Sequence, residues 1–237
     1  MRSVQFIAAA LPVILASTAM AQQLTPVVDN RNMYFEAQVN TELGADDAQD
    51  FYSATDIIFN PFDPWSYSFG LSAEFQSANA NTNGTIDSVI GATSITASGT
   101  AYGYAQVLDP TGYDAFGSTS SIMEIGFSLD QASTWEIIAS LAADAGSTAE
   151  FTLSHGLNPG GTAVFSSTDA MINELVFLDA GDYTLTVYAT ASASVSGIAT
   201  AESNASFDAQ FNLVPAPATG TLAMLGLAFA SRRRRNA

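Results

Sequence analysis

Cysteine and lysine are absent from this sequence of 237 residues, histidine occurs once, and all six basic residues are arginines. Without cysteine there is no thiol nucleophile, no disulfide and no Cys-based zinc or iron–sulfur site. Without lysine there is no Schiff-base or P-loop lysine. The lone imidazole, His155, lies in Ser154-His155-Gly156-Leu157-Asn158-Pro159, which reads as an exposed loop. No Gly-x-Ser-x-Gly elbow accompanies it, so Ser-His-Asp catalysis lacks its framework. The 23 acidic residues show no spacing that singles out a pair for glycoside hydrolysis. The expectation is a protein without enzyme activity.

The arginines are as informative as the gaps. Arg2 sits at the N-terminus, Arg232 to Arg235 form a block near the C-terminus, and only Arg31 lies between. Residues 22–213 therefore carry one Arg against 23 acids, a formal charge of −22. Such a body is repelled by nucleic acid and by anionic headgroups, which excludes DNA, RNA and polybasic membrane binding. Residues 1–21 read as a signal peptide: Arg2 supplies the positive start, residues 6–16 the apolar stretch, and Ala19-Met20-Ala21 a cleavage site for signal peptidase before Gln22. An exported chain without disulfides must rely on its core, and residues 22–213 are long enough to bury one.

The composition changes abruptly after Leu213. Val214-Pro215-Ala216-Pro217 is followed by a nearly unbroken apolar run over 220–230 and then by Arg232, Arg233, Arg234 and Arg235. Prolines end a strand and keep the linker extended, an apolar run enters a bilayer, and arginines remain on the cytoplasmic side. As a helix, residues 218–231 span about 21 Å, short of the roughly 30 Å hydrocarbon core, which suits transient insertion better than permanent residence. This three-part tail resembles the PEP-CTERM sorting signal of Gram-negative bacteria, with Ala216 where that family usually carries Glu. The resemblance covers about the last two dozen residues. It implies recognition and cutting by an exosortase-type membrane protease, inner-membrane anchoring beforehand, and delivery to the cell surface or an exopolysaccharide matrix.

Between these ends, two-residue alternation dominates. Tyr183, Leu185, Val187, Ala189, Ala191, Ala193 and Val195 share one face, with Thr and Ser on the other. Ala205, Phe207, Ala209, Phe211 and Leu213 repeat the pattern, as do Met123, Ile125, Phe127 and Leu129. Further strands are predicted over 33–42, 66–76, 94–108, 134–142, 148–154, 162–166 and 174–178. About ten strands in one domain predict an all-β, antiparallel β-sandwich of jelly-roll type over 22–213, flanked by the signal peptide (1–21) and the sorting tail with its short hydrophobic helix (214–237). Leu178-Asp179-Ala180-Gly181-Asp182-Tyr183 predicts a turn in which Gly181 supplies positive φ and Tyr183 an inward anchor. Small residues in the strands from Ser94 and from Tyr183 predict flat, closely approached sheets. A short helix is expected over 45–54.

Candidate chemistry is sparse. Asp46, Asp47 and Asp50, with Asp56 nearby, are the candidate calcium ligands, since hard cations need several oxygens. No other cofactor is implied. Asn79 to Asp87 begins like a calcium loop but has Ile90 where a bidentate Glu should stand, and it reads as a hairpin turn. Trp65 and Tyr67 beside a Pro-containing turn, and Tyr102, Tyr104 and Tyr113 near Asp109-Pro110-Thr111-Gly112, are the candidate glycan contacts. Aromatic faces beside carboxylates and hydroxyls suit sugar rings. The reading is an exported, non-enzymatic structural protein of the cell surface or extracellular matrix. A carbohydrate-binding module is the alternative, and a glycoside hydrolase a third.

Overall fold

The computed structural model describes residues 23–41, 44–53, 60–109, 113–157 and 161–215. The signal peptide with Ala19, Ala21 and Gln22, and the tail from Ala216 and Pro217 through Arg232 to Arg235, lie outside these residues. Within them the chain forms 13 strands and no helix, every pairing antiparallel.

Two sheets result. The first runs, edge to edge, β10 (Thr162–Ser167), β9 (Thr148–His155), β12 (Gly181–Ser196), β7 (Asp114–Leu129), β2 (Asn32–Thr41) and β3 (Gly44–Ser53), with β1 (Leu24–Asp29) also paired to β7. The second runs β11 (Met171–Leu178), β8 (Ser133–Ala143), β13 (Ala199–Leu213), β6 (Ser94–Val107), β5 (Ala78–Ile90) and β4 (Trp65–Phe75). Alternation decides which side of each strand is buried. Along β12, Tyr183, Leu185, Val187, Ala189, Ala191, Ala193 and Val195 all face inward, because a period of two places every second side chain on one face of the pleat.

Three expectations are corrected. The helix expected over 45–54 is not formed at 45–53, residue 54 lying outside the described residues: Gly44–Ser53 pairs with all ten residues of β2, and a full ladder outweighs a short helix with its costly nucleus. Asn79 to Asp87 is not a hairpin turn but the body of β5, and the turn lies just before it, where Gln76 adopts φ 53°. The strands number 13 rather than about ten, β1, β3 and β5 being the additions.

Between the sheets the core divides in two. One part is large and aromatic: Trp135 stacks on Phe211 with centroids 4.5 Å apart, Phe127 packs 5.7 Å from Phe211, and Tyr183 lies 5.8 Å from Phe127. The other is built from smaller groups such as Ala37, Val39, Ala80, Ala105, Val107 and Ala193. A waist of Gly and hydroxyl residues separates them. A Cβ at Gly103 would lie 2.5 Å from the Gly117 carbonyl oxygen, so the two backbones touch through glycine. Beside this contact, Thr119 Oγ1 donates to the Tyr102 carbonyl at 2.9 Å and Ser121 Oγ to the Thr100 carbonyl at 2.7 Å. These bonds stitch β7 to β6 across the sandwich. The predicted Gly181 turn is also present: Gly181 has φ 153°, and buried Tyr183 donates its hydroxyl to the Asp179 carbonyl at 3.0 Å.

Candidate functional site

The register of the second sheet lays polar side chains in rungs across its outer face. One rung brings Asn83, Tyr102 and Asn204 side by side on β5, β6 and β13, with Asp144 just past the end of β8. The next holds Thr85, Thr100, Ser206 and Ala142, and the one after it Asp87, Ser98, Asp208 and Ser140. On the other side of Tyr102 come Asn81, Tyr104 and Glu202, then Asn79, Gln106 and Thr200. Antiparallel strands with one buried face turn their polar residues outward, and here three adjacent strands do so in phase.

Many of these groups are held by each other. Asn204 Nδ2 donates to Asp144 Oδ2 at 2.9 Å, Thr85 and Thr100 share a hydroxyl–hydroxyl bond of 2.8 Å, and Asn79, Gln106 and Thr200 form an amide–hydroxyl chain with 3.3 Å steps. Asn83, Thr100, Tyr102, Asp144, Asn204 and Ser206 line a shallow cleft of about 340 Å³, floored by alanines. A smaller one of about 150 Å³ follows along the same face around Asp87, Ser98, Asp208 and Gln210. Burial, the Glu202 charge and neighbouring Tyr104 raise the Tyr102 phenol pKa, so its hydroxyl remains a donor at any ordinary pH. The arrangement presents an aromatic ring, amides, hydroxyls and carboxylates, and no cationic side chain.

Of the predicted aromatic contacts, Tyr102 and Tyr104 lie half-buried on this outer face. The others go elsewhere. Trp65 is 2% exposed and points into the core, because it opens β4 on the inward phase rather than ending a loop. Tyr67 follows it on the same face, stacked at 6.3 Å and packed against the core. Tyr113 is buried, its hydroxyl donating to Gln76 Oε1 at 2.8 Å, and is not joined to Tyr102 and Tyr104. Buried Trp65 and Tyr113 offer no ring face to a sugar, while Tyr67 is half-buried at the edge strand β4. Asp144, Asn204 and Ser206 carried no local signal in the sequence, and Asn83 only that of an incomplete calcium loop, since only the pairing of distant strands brings them to Tyr102.

Arg31 occupies the break between β1 and β2, where both strands use the same edge of β7. Its guanidinium donates to Asp29 at 2.8 Å through Nε and 2.6 Å through Nη2, and to Ser88 Oγ at 2.9 Å, and stands 5.9 Å from the Trp65 ring centre. Burial pushes the Asp29 carboxyl pKa up. The Arg31 bonds and charge, with the Phe62 N–H, outweigh that and hold it below the usual aspartate range. On the outer face of the first sheet, Glu150 accepts from Tyr188 at 2.7 Å, Thr152 at 2.9 Å and Ser166 at 3.0 Å, which fastens β12, β9 and β10 together. The Tyr188 bond leads in lowering the Glu150 pKa, and burial leads in pushing Tyr188 up to about 12.

The candidate calcium aspartates sit on β3. Asp46, Asp47 and Asp50 all fall within Gly44–Ser53, the strand paired along its length with β2. Asp46 is exposed and accepts the Glu74 N–H at 3.0 Å, while Asp56 lies outside the described residues. Among the described residues no three His, Asp or Glu groups gather as a metal site. His155 closes β9 rather than sitting in a loop; it is exposed, and its ring meets that of Tyr183 edge to face with centroids 5.2 Å apart. Of the sorting motif, Val214 and Pro215 are described: the Val214 N–H bonds the Thr134 carbonyl at 2.9 Å, and exposed Pro215 follows.

Comparison with known protein families, curated proteins and solved structures finds no match.

Proposed function

We propose that the chain is an exported, non-enzymatic structural protein of the cell surface or of an exopolysaccharide-associated extracellular matrix, sorted through its C-terminal tail. Signal peptidase and an exosortase-type protease are its processing partners, with transient membrane insertion through the tail helix before cutting. The observation that carries this reading is where the described ladder ends. Among the described residues the last sheet bond of β13 runs from the Val214 N–H to the Thr134 carbonyl, and the next residue of the tail motif, Pro215, is exposed and has no N–H to donate, so a cut after Pro215 spares that bond. Successive strands from β6 to β9 cross between the sheets, and those from β10 to β13 do so again, which supports a jelly-roll wrapping. A non-enzymatic role is supported by the sequence, which offers no thiol or amine nucleophile and a single imidazole.

Intact-mass measurement on the native protein, recovered separately from membrane, matrix and medium, tests the reading. The expected species starts at Gln22, ends between Val214 and Pro217, and is found outside the membrane fraction. A membrane species that keeps Arg232 to Arg235 would overturn sorting in favour of a plain anchor. Release of reducing sugar from polysaccharide, abolished by one carboxylate-to-amide change, would overturn the non-enzymatic role.

A further inference from the structure

We propose that the outer face of the second sheet is a binding site for an uncharged, extended polysaccharide that lies along β6 and β13, with one sugar ring against Tyr102. This rests on the matrix reading above and names the ligand class and the site.

Shape comes first. The cleft beside Tyr102, at about 340 Å³, falls within the range of small-ligand sites. The second cleft, around Asp87, Ser98 and Asp208, lies on the same face. Tyr102 and Ser98 are four residues apart on one strand, about 14 Å at the usual rise, with the Thr85–Thr100–Ser206 rung between them. A ligand touching both clefts is therefore long and runs with the strands. A linear glycan has that form, whereas a single metabolite fills only one cleft.

Chemistry narrows the class. The ring of Tyr102 offers an apolar surface for the C–H face of a sugar, and Asn83, Asn204, Thr100 and Ser206 supply donors and acceptors for its hydroxyls. Asp144, Asp87 and Asp208 are acceptors only when ionised, so they take hydroxyl protons and repel carboxylate or sulfate. No Lys or Arg stands on these strands to offset that repulsion. An uncharged glycan satisfies the face, and an acidic one does not.

Rigidity is built in from behind. Thr119 and Ser121 bond the backbone carbonyls of Tyr102 and Thr100, and Asn204 fixes Asp144. A site held in place loses less freedom when it binds.

The test is calorimetric titration of the purified native protein, in whatever fraction of the cell it is recovered, with cello-, manno- and laminari-oligosaccharides, from disaccharide to hexasaccharide. Saturable binding to at least one series is expected, strengthening with chain length and then levelling. Tyr102→Ala should weaken it about tenfold or more, Tyr102→Phe should retain it, and Tyr188→Phe, on the opposite sheet, should leave it unchanged. Asn204→Ala should weaken it without shifting the melting temperature as far as a core change. Absence of saturable binding in every series, or full binding by Tyr102→Ala, overturns the site. Binding only to alginate with calcium overturns the uncharged class. If the site fails while the native protein still cofractionates with matrix, the matrix reading stands. If oligosaccharides bind but the protein is never exported, that reading falls alone.

Discussion

Arg31 and Asp29 are buried together, and the desolvation of both charges is offset by the fork of bonds between them, the bonds to Ser88 and Phe62 and the Trp65 ring beside the guanidinium. Removing one partner leaves the other charged and uncompensated. Arg31→Met should cost about 3–5 kcal/mol of unfolding free energy, more than Arg31→Met combined with Asp29→Asn, and denaturant titration of both variants checks the order. The pair also sets a pH response. Because the Asp29 pKa is lower in the folded protein than in the unfolded chain, the stability it contributes is fully present above about pH 4 and is lost as pH falls through the folded value. Asp29→Asn should flatten that acid limb of the melting temperature. A limb of unchanged steepness in the variant would mean that other carboxylates govern acid unfolding.

At the scale of strands, the waist is the least adjustable part. At Gly103 any side chain meets the Gly117 backbone rather than a movable group, so Gly103→Ala must push β6 away from β7. That change should cost about 1–3 kcal/mol by overpacking and loosen the Thr119 and Ser121 bonds, seen as faster amide exchange in β6. Strand β11 poses the opposite problem. Among the described residues its outer edge is unpaired, yet Met171, Leu175 and Phe177 are 74%, 64% and 66% exposed, with neither Pro nor Lys to blunt them. Leu175→Lys should lower light scattering on concentration or heating while leaving the melting temperature within about 0.5 kcal/mol equivalent. Strands such as β12, β13 and β8 were legible in the sequence because large apolar groups alternate with Thr, Ser or Asp. β5 was not, because its first four inward positions are Ala78, Ala80, Thr82 and Gly84, which differ too little in hydrophobicity from the Asn and Thr between them, and of the two that follow, Ile86 and Ser88, only Ile86 is large and apolar. β3 reads as acidic and Ala-rich, and only its neighbour β2 makes it a strand. Tyr102 was identifiable as an aromatic near a turn. Its companions Asn83, Asp144 and Asn204 come from three other segments, and strand register, which no local pattern encodes, is what unites them.

Over the whole molecule, a body of formal charge −22 has its single cation inside, so the exterior carries charge of one sign apart from any protonated His155. Self-repulsion opposes compactness, and ions relieve it. Raising ionic strength to about 0.1 M brings the screening length to roughly 10 Å, and the melting temperature should climb over that range at neutral pH. A flat response would mean that the carboxylates are spaced widely enough not to oppose folding. The same placement of Arg31 bears on survival among proteases. Proteases of the trypsin type cut only after Lys or Arg, and between residues 22 and 213 the chain has one such bond, Arg31–Asn32, with the arginine wholly enclosed and Asn32 already in a strand. In its folded state the body presents nothing for these enzymes to grip, and cleavage at that single peptide would report unfolding of the domain.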